Sequence, residues 1–179
     1  MGSVTVLWLV HEGRPKIVRV FLSNPEVFSE QAFKTALLDS RPASCLEIDQ
    51  VADQIEAFLS GANIRFSLER LFLDLCSDFQ QKVLLAEHRI PWGHVSTYQL
   101  IARFLGKPAA ARAVGTALAT NPFPIIIPCH RAIRSDRTLG GFQGGLAMKR
   151  ALLEAEGIPF DNAGRVAVAE FFIPYPAAV

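Results

Sequence analysis

Apolar and polar positions change rhythm along this chain, and the changes divide it. VTVLWLV (Val4 to Val10) and KIVRVFL (Lys16 to Leu22) are rich in β-branched and aromatic residues, with HEGRP between them. That is the pattern of a β-hairpin. Ser23-Asn24-Pro25 stops the second strand. The rhythm then becomes helical near Phe28 to Leu38. It is helical again in CLEIDQVADQIEAFLSG, where Ile48, Val51, Ile55 and Phe58–Leu59 share one face and Gly61 can cap the end. RFSLERLFLDL fits either period and is read as one or two short strands.

The second half reads differently. Ser77 with Gln80 has capping-box spacing and opens a helix through about His88, broken by IPWG. Ser96 with Gln99 repeats the spacing and opens a helix carrying Leu100, Ile101, Phe104 and Leu105 on one face. Gly106-Lys107-Pro108 makes a tight turn, with Pro108 at the first position of the next helix. That helix, AAARAVGTALA, holds six alanines in eleven residues, and Arg112 is its only charge. Two short helices on a tight turn form a helix-turn-helix pattern, or an αα-corner packed in a core. Small side chains let such a helix approach another surface closely. A last helix, LAMKRALLEAEG, ends at Gly157 with Pro159 beyond.

The fold expected is α/β (α+β). A small N-terminal sheet with helices occupies 1–74. A mostly helical C-terminal domain with the helix-turn-helix occupies 75–160. An apolar tail, 161–179, carries Val166, Val168, Phe171, Phe172 and Ile173, too apolar to be left in solvent.

Composition narrows the class. Half the residues are hydrophobic and 20% are charged, enough for a sizeable core and against disorder. The apolar runs are too short to span a bilayer, and MGSVTVLWLV lacks the basic start of a signal peptide. The expectation is a monomer in the cytosol (or nucleus, in a eukaryote), with no membrane association. The net charge of +1 conceals an asymmetry. Cys76 to Arg150 holds ten Lys or Arg against three Asp or Glu, while the remainder holds eight against fourteen. A nucleic-acid-facing half beside an acidic half is one reading, and chance imbalance on solvated surfaces is the other.

The three cysteines, Cys45, Cys76 and Cys129, are odd in number and unpaired in spacing, which argues against a disulfide framework. With His11 and His88 they are too scattered for zinc spacing. Cys129 stands apart. It follows the rigid Pro128 and precedes His130 and Arg131, with Arg134 beyond. A thiol becomes a nucleophile by losing its proton, and nearby positive charge or a paired imidazole helps it do so. Neighbouring residues in regular structure point apart, so proton transfer to His130 needs an irregular turn or a bridging water. A buried inert cysteine is the bland alternative. Glu156 ends its helix where a carboxylate opposes the dipole, by chance or because it orients a histidine. GGFQGG (Gly140 to Gly145) reads as a flexible loop without phosphate-cradle spacing.

STYQLIARFLGKPAAARAVG, NPFPIIIPCHRAI and GGFQGGLAMKRALLEAEG together resemble the O6-alkylguanine-DNA alkyltransferases, the methylated-DNA–protein-cysteine methyltransferases. The likeness is strong from about Phe79 to Gly157 and elsewhere is one of general layout. It implies that Cys129 accepts the alkyl group, that His130 draws off its proton through a water, and that Glu156 holds His130. It also implies that Asn121 braces the turn before the cysteine. Tyr98 would turn the nucleotide's phosphate aside and offer its hydroxyl to guanine. Arg112 would fill the gap left by a flipped base, with Ala111, Gly115 and Arg131 also at the DNA. Ala132, Phe142 and Gln143 would line the alkyl pocket. No metal or organic cofactor is implied, and the partner is double-stranded DNA containing O6-alkylguanine.

Two positions depart from the family's habit. Phe142 replaces a frequent Tyr, and Ala132 a frequent Val, which bears on preferred alkyl size and not on the reaction. A damage-binding module is a competing class, opposed by the presence of Cys129. A cysteine hydrolase using Cys129, His130 and Asn121 is another, and it would turn over repeatedly.

Overall fold

The computed structural model describes residues 4–22 and 40–174. The helical stretch expected near Phe28 to Leu38 and the stop at Ser23-Asn24-Pro25 lie outside them. Strands β1 (Val4–His11) and β2 (Arg14–Leu22) form an antiparallel hairpin. Its turn is shorter than HEGRP: only Glu12 and Gly13 are unpaired, both at positive φ (50° and 73°). Two left-handed residues make the hairpin turn whose twist matches the strands. The strands therefore extend closer to the turn than the polar residues suggest.

Helix α1 (Leu46–Leu59) buries Ile48, Ile55 and Phe58 against the sheet and the second half. It ends as expected, with Gly61 N–H on the Phe58 carbonyl and Ala62 N–H on the Ala57 carbonyl. RFSLERLFLDL forms no strand of its own. Leu71 makes a single parallel bridge to Ile17, and Leu73–Leu75 is a 3₁₀ turn. The bridge uses Ile17 N–H to the Arg70 carbonyl and Phe72 N–H to the Ile17 carbonyl. Its apolar residues serve to pack, not to pair.

Helix α2 (Asp78–Glu87) has Ser77 as its N-cap, accepting from Gln80 N–H. The reciprocal half of a capping box is missing. The Gln80 amide instead donates to the Ala117 and Thr120 carbonyls, tying α2 to the end of another helix. Helix α3 (Tyr98–Phe104) is capped by Thr97, one residue later than Ser96, the residue with the expected spacing. Ser96 is buried and pairs in parallel with Ala132, so β3 (Ser96–Thr97) and β4 (Ala132–Ile133) make a second two-stranded sheet.

Gly106, at φ 69°, reverses the chain after α3, where a side chain would be strained. A 3₁₀ turn (Pro108–Ala110) then leads into α4 (Ala111–Ala119). Gln99 donates to the Pro108 carbonyl at 2.7 Å and fixes the angle between the two helices. Helix α5 (Gly145–Ala155) closes the order.

One core runs from Ile17 and Val20 of the hairpin through Ile125–Ile127 to Leu152 of α5. A smaller core joins Val95, Ile133, Leu153 and Ile158 to Val166, Val168 and Phe171. Val166, Val168, Phe171 and Phe172 of the apolar tail thus pack on the cores, anchored by Phe172 N–H on the Val95 carbonyl, while Ile173, expected to pack too, is exposed. Among the described residues no helix is long and apolar enough to cross a membrane.

Candidate active site

Cys129, His130 and Arg131 form one 3₁₀ turn, all three buried. The turn is irregular, yet His130 Nδ1 makes no direct hydrogen bond to the thiol. The segment before it is strained. Ile125 has φ 72°, a left-handed value that a β-branched residue avoids. Burial and Asn121 hold it there. Asn121 Nδ2 donates to the Ile127 carbonyl at 3.1 Å, and its Oδ1 accepts from Phe123 N–H at 2.9 Å. One side chain clamps both ends of the loop that delivers the cysteine.

Glu156 reaches His130. The Nε2 to Oε1 distance is 2.7 Å, with both side chains fully buried. An ionised carboxylate only accepts, so Nε2 carries the proton and Nδ1 is left as an acceptor. Nδ1 has no protein hydrogen-bond partner. Burial lowers the His130 pKa despite its bond to Glu156, so the ring rests neutral. Burial alone would raise Glu156. The hydrogen bonds of His130 and Arg131, with the Arg131 charge, outweigh it and hold the carboxyl below its ordinary value.

Arg131 corrects an expectation. It does not face outward to meet DNA. Its Nε donates to both Glu156 oxygens (3.1 and 2.9 Å), Nη2 to Oε1 (2.9 Å) and Nη1 to the Ile90 carbonyl (2.7 Å). With its charge so engaged, Arg131 is a clamp on the residue that orients His130. The nearby charge expected to ionise Cys129 also loses to burial. Desolvation pushes the thiol up to about 12, even though the Asn121 hydrogen bond lowers it. At rest Cys129 is a thiol.

The residues expected at the DNA, apart from Arg131, lie together at the surface. Tyr98, Ala111, Arg112, Gly115, Thr116, Arg134 and the Gly140–Gly141 backbone line an open groove of about 560 Å³. Arg112 is exposed, and Gly115 has open space where a side chain would stand. Burial, reinforced by Glu87 and Cys129, pushes the Tyr98 hydroxyl up to about 12, so it stays a donor. Gly140 is required here. A Cβ on it would sit 2.7 Å from the Tyr98 hydroxyl, and its φ is 67°.

The 140–145 loop is not free. Phe142 is buried with its ring 6.2 Å from His130 at 79°, and Gln143 donates to the Asn121 carbonyl at 2.6 Å. Phe142 and Gln143 therefore support the histidine and the asparagine. Phe58 of α1 meets His130 from the other side, at 5.9 Å and 62°. Ala132 is fully buried, and its carbonyl accepts from Lys149 Nζ at 2.7 Å.

Lys149 and Glu87, both fully buried, were not legible as site residues. The signal was present. Lys149 shares a helix face with Leu152 and Leu153, and Glu87 shares one with Val83 and Leu84. A charge on an apolar stripe is the mark to look for.

The profile of the 6-O-methylguanine DNA methyltransferase DNA-binding domain matches residues 78–158. A methylated-DNA–protein-cysteine methyltransferase of Methanothermobacter thermautotrophicus is 42% identical over 125 residues, 69% of this chain and 68% of that one. One from Mycobacterium tuberculosis is 48% identical over 105 residues, 58% of this chain and 62% of its own length. Matches to these two relatives thus span about two thirds of their length. The solved O6-methylguanine methyltransferase of M. tuberculosis superposes with a TM-score of 0.64 at 30% identity, covering 94% of this chain and 97% of that one. The M. tuberculosis protein OGT in complex with DNA gives a TM-score of 0.55 at 44% identity, covering 60% and 64%. The likeness runs through the helix-turn-helix, the cysteine turn and α5, and on that ground the chain belongs to the methylated-DNA–protein-cysteine methyltransferase family.

Proposed function

We propose that this protein repairs O6-alkylguanine in duplex DNA directly, by moving the alkyl group irreversibly to Cys129. The observation that carries the reading is the buried His130–Glu156 hydrogen bond in the same turn as the buried Cys129, with His130 Nδ1 left without a protein partner. A chain with a DNA-facing helix-turn-helix and an inert cysteine has no use for such an arrangement. The DNA complex of the M. tuberculosis relative supports the duplex as partner.

The alkylated oxygen is hidden in the stack, so the base is extruded to be reached. Arg112, exposed on α4, fills the space left behind. The small residues around it, Ala111 and Gly115, let the helix lie close to the groove. In the site, the Cys129 proton passes to His130 Nδ1 through a water. Sγ forms a bond to the alkyl carbon, and the bond from that carbon to O6 breaks. The electron pair stays with guanine, which accepts a hydrogen bond from the Tyr98 hydroxyl and ends with the proton that Cys129 gave up, returned from the His130 imidazolium through water. Glu156 stabilises the imidazolium that forms, and Arg131 keeps Glu156 in place. The product is a thioether, which no group in this site removes, so each molecule acts once. The protein needs no cofactor for this reaction and works as a monomer in the compartment that holds the DNA.

Stoichiometry tests the reading. A duplex containing one O6-methylguanine, given in excess, is to be digested and its restored guanine counted. The expected end point is one guanine per protein. Repeated turnover would replace alkyl transfer with hydrolysis.

A further inference from the structure

Among the groups that act on Cys129 are a buried acid and a buried base that the reaction above does not use. Glu87 projects from α2 and has no solvent exposure. Neither of its carboxyl oxygens makes a full hydrogen bond, and among the described residues the one donor that acts on them is the Ala132 backbone N–H. Lys149 projects from α5, also without exposure, and its Nζ donates to two carbonyls, Ala132 at 2.7 Å and Gly141 at 3.3 Å. Carbonyls satisfy an ammonium's hydrogens but not its charge.

The charged and titratable groups that act on Glu87 come from each element packed there. They are Lys149 of α5, Arg131 and Cys129 of the 3₁₀ turn, and Tyr98 of α3. Arg131 is already committed to Glu156. Lys149 is thus the cation available to two possible anions, the Glu87 carboxylate and the Cys129 thiolate.

We propose that Glu87 and Cys129 compete for the Lys149 ammonium, so that Glu87 must be protonated for the acceptor to ionise. Glu87 is a positioning residue in this scheme: it forms no bond to substrate and transfers no proton to it. While its carboxyl is neutral, the ammonium stabilises the thiolate that forms as His130 takes the proton. Once the carboxyl ionises, the ammonium is drawn to it, and a second negative charge stands beside the sulfur. Burial supports this by pushing Glu87 up to about 8, against the pull of Lys149 and Arg131. Burial also brings Lys149 down to about 8, against the pull of Cys129 and Glu87. An ionised Glu87 holds the proton on Lys149, so the charge lost to the sulfur is the one that Glu87 takes up. Alkaline solution, which activates an ordinary thiol, would then restrain this one.

The test uses the full chain and its Glu87→Gln variant. Gln imitates the neutral carboxyl and cannot ionise. The single-turnover rate on free O6-benzylguanine is to be followed from acid to alkaline pH, which leaves DNA binding out. The expected ratio of variant to wild type is about 1 near pH 6.5 and grows as pH passes through about 8, where Glu87 ionises in the wild type while part of the ammonium survives in the variant, to a gain of up to roughly tenfold, the effect of one pKa unit on the thiol. Glu87→Leu, which fills the site with hydrocarbon, is expected to show the same alkaline gain. A second readout needs no reaction. In a Cys45→Ser, Cys76→Ser background, the ultraviolet absorbance of the Cys129 thiolate should appear at lower pH in Glu87→Gln than with Glu87 present. A rate ratio that stays constant with pH, or an unmoved thiolate titration, overturns the proposal. The inference rests on the alkyl-transfer reading, and the arms separate the two. Absence of transfer in wild type refutes that reading, while the thiolate titration still decides the competition.

Discussion

Replacing Arg131 by methionine separates a buried clamp from a DNA contact. Methionine keeps much of the side chain's bulk and removes the guanidinium. Three hydrogen bonds to Glu156 and one to the Ile90 carbonyl are lost. Glu156 is then a buried carboxylate held by His130 and a long bond from Gly93 N–H at 3.3 Å. Removing one partner of a buried ion pair costs about 3–5 kcal/mol. In a chain of this size that is a fall in Tm of roughly 10 °C. The deficit also depends on pH. In the wild type Glu156 is held below its ordinary pKa, so its contribution is present above the unfolded pKa and is lost as pH falls through the folded one. Without Arg131 that contribution shrinks, and the gap between the proteins should be widest at neutral pH and narrow in acid. Circular dichroism melts across that range measure it. Anisotropy with undamaged duplex, well below the transition, measures binding. Affinity should stay within about twofold and the salt slope should be unchanged, whereas a lost phosphate contact would reduce the slope by about one. A stability loss below about 1 kcal/mol together with weakened binding would refute the clamp.

Three further changes probe other parts of the site. Arg112→Ala should slow repair in duplex far more than reaction with free O6-alkylguanine, since Arg112 is exposed on the groove and remote from the buried sulfur; equal losses in paired single-turnover assays would remove its role in extrusion. Gly140→Ala places a methyl 2.7 Å from the Tyr98 hydroxyl at φ 67°, so the ring or the loop must move; transfer should slow on both substrates, and an unaltered rate would show that Tyr98 need not stay where it is. Phe58→Ala removes a buried ring that packs on both His130 and Trp92; about 3–5 kcal/mol should be lost in denaturant unfolding, and a smaller loss would mean the cavity collapses.

The hairpin, α1, the helix-turn-helix and the closing helix were legible because periodicity and glycine caps are local signals. What failed was the use made of polar side chains. Gln80 and Gln99 have capping-box spacing, yet both reach across to other helices, and spacing along the chain cannot show which partner wins. Ser96 loses the cap to Thr97 because its strand position turns it inward. RFSLERLFLDL looked like strand because apolar residues that pack and those that pair share one composition. In the site, the Cys129–His130–Glu156 set was available from the family likeness, and the fold brings His130 and Glu156 together. Arg131 misleads in the sequence because a basic residue in a segment that resembles a DNA alkyltransferase suggests a phosphate, and nothing local says that the 3₁₀ turn sends it inward. Lys149 and Glu87 were passed over because a helix pattern rich in charge hides one charge on the wrong face. The surface is also less basic than the sequence count suggests, since Arg131 and Lys149 never reach solvent.

Alkyl transfer to Cys129 is the claim on which the rest depends. It is tested most directly by peptide mass spectrometry after reaction with an O6-methylguanine duplex, with Cys129→Ser as control. The account predicts one added methyl on the Cys129 peptide, saturating at one per protein and missing from the serine variant. A protein that binds the duplex and gains no mass, or gains it at Cys45 or Cys76, would contradict it.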